Sequence, residues 1–311
     1  MEIRCATAIS GSASWTNFLP SWRAFALKAL VPSQLFMNAP FRFWWAAMAW
    51  MLAANLGISA AELHPLRALL VCGGCCHDYP IQKDVLKRGI ESRARITVDT
   101  VQQGGTSKES QIPLYENPHW AKGYDVVIHD ECFGAVADTN WISRILAPHR
   151  AGLPGVNLHC AVHSYRAAPG ELWQEYLGLR SMKHGKAAPI QIRTVDKQHP
   201  IIRGLGWRDW LTGNEELYNN VKVFPSATVL QRGAQGEDDC AITWVNRFGS
   251  TRVFSTSLGH FNETVSDDRY LDLVTRGVLW ACDRLDDNHL KSITPIPPVR
   301  STSPVTPAVK P

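Results

Sequence analysis

The sequence predicts an α/β sandwich: a mostly parallel central sheet with helices on both faces, and an antiparallel hairpin in the second half. Two observations lead there. From about residue 67 to 158, compact apolar runs alternate with helically spaced segments, as in strands joined by crossover helices. From about residue 190 onward the strand-like segments include a pair joined by a short glycine turn, which antiparallel strands need and parallel ones do not. The 311 residues, 45% hydrophobic and 19% charged, suffice for one large domain of this kind.

Taken in order, Arg67–Cys72 is a buried strand entering a Gly73-Gly74 turn. Ile81, Val85, Leu86 and Ile90 mark a helix over 81–94, and 96–101 alternates like a second strand. Tyr124 to His129 is a β-branched third strand, ending in the polar cluster His129-Asp130-Glu131. Trp141, Ile142, Ile145 and Leu146 line a helix over 138–150, and 154–158 is the fourth strand. Residues 190–195 alternate, and 241–245 with 251–256 form the hairpin around Gly249. Tyr270, Leu271, Val274, Val278, Leu279 and Cys282 give a last helix over 267–284 its buried stripe.

The ends are of another character. Residues 43–56 are an apolar run behind Arg42, followed by Ser59-Ala60-Ala61 and Glu62. That is the arrangement of a secretory signal peptide over about 37–61, and the run falls short of the roughly 20 apolar residues of a membrane span. Residues 1–36 read as an over-extended start ahead of Met37. A membrane contact is expected only through an uncleaved signal segment. Residues 291–311 hold six prolines without apolar periodicity, a disordered tail by composition. The expected organisation is therefore a leader (1–61), one domain (62–290) and a tail (291–311), in a periplasmic or secreted protein.

Charge follows the same division. Residues 1–61 carry four Arg/Lys and one Glu, and residues 291–311 three Lys/Arg and no acid. Of the chain's 32 basic and 28 acidic residues, 25 and 27 thus fall in 62–290. A nearly neutral folded part has no electrostatic footprint for nucleic acid. All 11 histidines and seven of the eight cysteines lie there. The cysteines lack zinc-ribbon spacing; Cys75 and Cys76 are neighbours, which rarely suits a mutual bridge, and Cys72 and Cys282 read as small core residues.

Polar clusters recur at the expected strand ends: Gly73 to Tyr79, His129-Asp130-Glu131, His159 to His163, and Gly259-His260. In a doubly wound sheet these ends share one rim, where ligands bind. His159 and His163 would share a face if their turn runs into a helix. With His77, or with a carboxylate from Asp78 or Glu216, they suit a divalent metal, zinc first; hydrogen bonding at a tight turn is the plainer alternative. His159 rather than Cys160 reads as the apex of the turn. Cys160 as a thiol nucleophile, with His163 or His260 as base, is the competing chemistry, but no relieving glycines surround it. Glu216 is a candidate base, and Tyr218 a donor to a sugar hydroxyl. Tryptophans 120, 173, 207, 210 and 244 suit a core, though sugar rings stack on such faces, with Trp173 the candidate. No G-x-G-x-x-G follows a strand, so no nucleotide cofactor is expected, and no carboxylate pair stands out for ordinary glycoside hydrolysis.

In order and spacing these pieces resemble the ThuA-like family, named for trehalose utilisation. They are Gly73-Gly74 with His77-Asp78, Tyr124 to Val127, Leu158 to Ala161, Trp173, His199-Pro200-Ile201 with Gly204-Leu205, Glu215 to Tyr218, Trp244, Gly249, Arg252 to Phe254, Leu258 to His260 and Gly277 to Ala281. The resemblance implies a flavodoxin-like fold similar to class I glutamine amidotransferases, with His159 where those enzymes carry a nucleophilic cysteine. It also implies trehalose-type disaccharides or oxidised (3-keto) sugars as ligands, and a partner dehydrogenase. His159, His163, Glu216 and His260 are then the catalytic candidates, Asp78, Tyr218 and Trp173 the substrate contacts, and His77, His159 and His163 the metal ligands. The alternative is a non-catalytic sugar-binding or accessory subunit of the cell envelope. The Cys75-Cys76 pair, Glu215 in place of Asp and the basic tail depart from the family pattern.

Overall fold

The computed structural model describes residues 64–206 and 209–291. The expected leader, nearly all of the tail and Trp207 lie outside the described residues.

The first half alternates strand and helix: β1 (Leu66–Gly74), α1 (Tyr79–Arg93), β2 (Ile96–Gln102), β3 (Val126–Cys132), α2 (Thr139–Arg150), β4 (Gly155–Leu158) and α3 (Leu172–Leu177). The second half is mainly strands: β5 (Leu179–Arg180), β6 (Ala188–Thr194), the short α4 (Pro200–Arg203), β7 (Trp210–Glu215), β8 (Lys222–Val223), β9 (Ala227–Gln235), β10 (Asp238–Phe248) and β11 (Thr251–Thr256). The turn α5 (Asn262–Val265) and the long α6 (Asp268–Ala281) close the domain.

Nine strands form one sheet in the order β2-β1-β3-β4-β11-β10-β9-β6-β7, while β5 and β8 pair separately. The first five are mutually parallel, in the flavodoxin-like order. From β11 outward every pairing is antiparallel. The β10–β11 hairpin is thus where an expected, but longer, antiparallel extension begins. Alternation along β1 splits the core into two layers: Ala68 and Leu70 face the side covered by Leu86 and Ile90 of α1 and Leu271, Val274 and Val278 of α6. Leu69 and Val71 face Trp141, Ile142, Ile145 and Leu146 of α2 and Trp173 of α3. Arg93, 2% exposed, ties α1 to α6 through Asp268 (2.6 Å) and Asp272 (2.7 Å). Among the described residues no helix is long and apolar enough to cross a membrane.

One expectation fails at β3. The strand does not stop at His129 but runs to Cys132, every residue buried, so His129-Asp130-Glu131 is not a rim cluster. His129 and Glu131 are tolerated because each finds buried polar partners. His149 Nδ1–H donates to the Leu153 carbonyl (2.7 Å), which leaves its Nε2 as acceptor for His129 Nε2–H (3.0 Å). His129 Nδ1 then faces Glu131 Oε1 at 3.0 Å. Tyr115 (3.0 Å) and Tyr165 (3.3 Å) donate to the same oxygen. Asp130, on the other face, is pushed well above the usual carboxylate range by burial and then by Glu131.

Burial, and then neighbouring His129, push the pKa of His149 down from 6.5 to about 3. Between those values the unfolded chain takes up a proton that the folded chain refuses, so this contribution to stability is complete above pH 6.5 and falls as the pH drops towards 3. Denaturant titrations of wild type and His149→Gln should show the wild-type advantage shrinking as pH falls through that window; a constant difference would refute it.

Candidate functional site

The parallel half changes winding direction between β1 and β3, and ligands bind in the crevice beyond such a switch point. The segment after β1 brings Cys75, Cys76 and His77 there, and the turn after β11 brings His260; the turn after β4 brings Cys160 and His163 to the lining and packs the buried His159 against His260. The loop after β7 adds Glu216 and Tyr218, and Arg166 and Lys108 line the same pocket.

His159 sits at the apex, as expected. Its φ is +38°, an uncommon region for a residue with a side chain, and a 3₁₀ turn, His159–Val162, follows. Gly259 at φ +117° makes the close approach possible: a Cβ there would lie 2.7 Å from the Tyr270 hydroxyl and 3.7 Å from the Cβ of His159. His159 Nδ1–H donates to the Ser257 carbonyl at 2.7 Å, fixing the tautomer. Its Nε2 therefore carries the lone pair, and it meets the Tyr218 hydroxyl (3.1 Å), His260 Nδ1 (3.3 Å) and Glu216 Oε2 (3.6 Å). Glu216 also lies 3.4 Å from His260 Nδ1 and, through Oε1, 3.4 Å from His184 Nδ1. The His77 ring stands 4.8 Å from both the His159 and His260 rings, edge-on.

Burial and the neighbouring groups disfavour protonation of His77 and His260 and keep Glu216 ionised. Burial first, then His159 and His260, push His77 down to about 2. His260 is lowered by burial and by His159, against the opposing pull of Glu216. Burial acts to raise Glu216, but His159 and then His260 and His184 around it outweigh this and hold it below the ordinary carboxylate value.

The roles of two supporting groups were not legible in the sequence. Glu215, fully buried, accepts from the backbone N–H of His260 (3.2 Å) and Phe261 (3.3 Å), and Gln82 of α1 donates to the His260 carbonyl (3.0 Å). Together they clamp the His260 loop. His184 was also missed; it lies in an irregular segment with no periodic signal.

Not every expected site residue takes its expected place. His163 lines the pocket but is not in the imidazole triad: the turn is 3₁₀, with three residues per turn, so positions four apart do not share a face. Its ring stacks on Tyr218 at 3.7 Å and its Nε2 meets Ser181 Oγ at 2.9 Å. The nitrogens of His77, His159 and His260 lie within 4.8 Å of one another, so the metal-type triad contains His260 in place of His163. Asp78 is exposed and accepts from Asn262 Nδ2 at 2.9 Å, outside the pocket lining. Trp173 is buried, its indole N–H donating to the Ala161 carbonyl (2.8 Å), so it offers no face to a ligand. Cys160 is bonded to Cys132, which leaves no free thiol for nucleophilic attack, and Cys75 and Cys76 are bridged despite their adjacency. Cys72 is a buried free cysteine, as expected, whereas Cys282 is partly exposed.

A metal fits the triad on one independent observation: the buried Nδ1 of His77 has no hydrogen-bond partner, and a polar atom left so is costly unless something satisfies it.

Comparison with known proteins agrees with this architecture. A crystal structure of a thua-like protein from Parabacteroides merdae ATCC 43184 is 20% identical, with a TM-score of 0.56, covering 70% of this chain and 90% of that one. A thua-like protein from Bacteroides uniformis ATCC 8492 is 13% identical, with a TM-score of 0.53, covering 72% and 95%. Both likenesses concern the fold. No curated protein matches the chain. The family model described as trehalose utilisation matches residues 67–281, and on that match the chain belongs to the ThuA family.

Proposed function

We propose that the protein is a secreted or periplasmic enzyme of carbohydrate catabolism, acting by proton transfer on an oxidised (3-keto) sugar of the trehalose type. The family's association with trehalose utilisation supports the carbohydrate part. The observation that carries the catalytic part is the convergence of Tyr218, His260 and Glu216 on His159 Nε2, whose lone pair the Ser257 carbonyl fixes in place.

A keto group acidifies the C–H beside it and polarises its own carbon, so the chemistry needs a base, an acid and a donor to the keto oxygen. His159, or Glu216 beside it, takes the proton; His260 returns one; the Tyr218 hydroxyl donates to the developing oxyanion. A divalent cation of the zinc class held by His77, His159 and His260 would polarise the keto oxygen or acidify water. With no dinucleotide fingerprint in the chain, a separate dehydrogenase would form the keto group.

The test is turnover of a 3-keto-disaccharide by the full chain and by Glu216→Gln, which keeps the shape and removes the charge. The variant should lose about 10²–10⁴-fold in kcat, while Asp78→Ala, outside the pocket, should stay within about twofold of wild type by the same reckoning. Binding of the keto-sugar without turnover in wild type would replace the enzyme by a sugar-binding accessory subunit.

A further inference from the structure

Four sulfurs meet where β1, β3 and β4 end. Cys75 and Cys76 follow β1, Cys132 closes β3 and Cys160 follows His159. They form two disulfides, Cys75–Cys76 and Cys132–Cys160. The two bridges touch: Cys75 Sγ lies 3.5 Å from Cys132 Sγ. The sulfurs of Cys75, Cys76 and Cys132 all fall within 4.8 Å of one another, and Cys132 and Cys160 form a second such group with a nitrogen of His77. Cys75, Cys132 and Cys160 are buried, while Cys76 is exposed and all four line the pocket. A lone buried cysteine is ordinary core material; four converging from three strand ends on one pocket are not.

The spacing suits a cation. Tetrahedral zinc takes four thiolates at about 2.3 Å, which puts neighbouring sulfurs about 3.8 Å apart, and the contact between the two bridges is already close to that. Soft thiolate ligands select zinc-class cations over hard ones. Four thiolates around a dication leave a net charge of −2, and Lys108 and Arg166, which line the same pocket, carry the compensating charge. Cys72 stays outside the set: burial, and then Asp130, push its thiol far up, against ionisation.

We propose that Cys75, Cys76, Cys132 and Cys160, when reduced, form a thiolate site for a zinc-class dication, adjoining the imidazole triad at His77 but drawing its ligands from sulfur alone, and that disulfide formation expels the ion. Each disulfide takes two electrons and two protons from a reductant to give two thiols. The four thiols release four protons as the cation binds. Two equivalents of a small-molecule disulfide reverse the sequence: the four thiolates give up four electrons and form two S–S bonds, the reagent takes those electrons with four protons from solvent to become four thiols, and the cation departs. The proposal does not depend on the sugar reading.

The test uses the full chain, oxidised or reduced with a phosphine under anaerobic conditions and freed of the reagent. Cobalt(II) is the probe, because thiolate ligation gives near-ultraviolet charge-transfer bands that imidazole ligation does not. Reduced protein should bind one equivalent of cobalt with those bands, zinc should abolish them, and zinc should shield four cysteines from alkylation. Oxidised protein should show no such bands. Cys132→Ser with Cys160→Ser should lose the bands, whereas His159→Ala should keep them. Cobalt bound by reduced protein without thiolate bands, or bands that survive the double serine variant, would overturn the proposal. If reduction unfolds the metal-free chain, zinc should restore its circular dichroism, and failure to do so would equally overturn it.

Discussion

His159→Ala should lower turnover of a 3-keto-disaccharide by about 10²–10⁴-fold while sparing much of the affinity for the sugar. The expectation rests on position. Among the described residues, His159 is the ring that touches Tyr218, His260 and Glu216 at once. Removing it takes away the lone pair and leaves the Tyr218 hydroxyl and the Glu216 carboxylate without their shared partner. Elemental analysis of oxidised wild type and variant separates the two ways in which the residue can act. About one equivalent of zinc, manganese or iron, lost in the variant, assigns His159 as a ligand, with Glu216 as the base. No metal in either protein assigns His159 as the base itself. Unchanged turnover in the variant would remove the proton-transfer reading altogether.

The second large effect lies in the interior. His129→Ala should destabilise the fold by about 3–5 kcal/mol, a large share of the roughly 5–15 kcal/mol that a domain possesses. His129 and Glu131 are both fully buried and meet at 3.0 Å, so deleting the imidazole leaves the Glu131 carboxyl group without that partner and out of reach of water. The two tyrosine hydroxyls that remain supply hydrogen bonds but no charge. Glu131→Gln should cost less, because an amide is neutral, and the two changes together should cost clearly less than their sum. Denaturant midpoints of the two single variants and the double variant measure this; strict additivity would show that the pair is not coupled.

Much of the parallel half was legible because its signals are local. The apolar run of β1, the helical spacing of α1 and α6 and the stripe of α2 each fall within 9 to 15 residues. β3 was cut short because His129-Asp130-Glu131 looks like a solvated strand end, and the groups that satisfy it, Tyr115, His149 and Tyr165, come from elsewhere in the chain. β7 and β9 gave little warning: β7 contains Gly213 and Asn214, and β9 alternates weakly around Gly233. In the site, His159, His260, Glu216 and Tyr218 could be nominated from their places at expected element ends. The choice of His260 over His163 could not, because it depends on whether the turn after β4 is α or 3₁₀. Glu215 stood out only as a departure from the family pattern; its role could not be read for a related reason, since it accepts from backbone N–H groups 45 and 46 residues away.

The insertion of β11 between β4 and β10 also orders events in time. β1 to β4 can assemble through successive crossovers, but β4 acquires its outer neighbour only after the chain has run on through the antiparallel extension, and the bond that fixes the His159 tautomer spans 98 residues. Non-local pairings of this kind slow folding, and until β11 docks the edge of β4 stands open to any other extended chain. Refolding should therefore recover helix content well before the histidine cluster exists. Catalytic activity, not circular dichroism, would then mark the moment when the chain is finished.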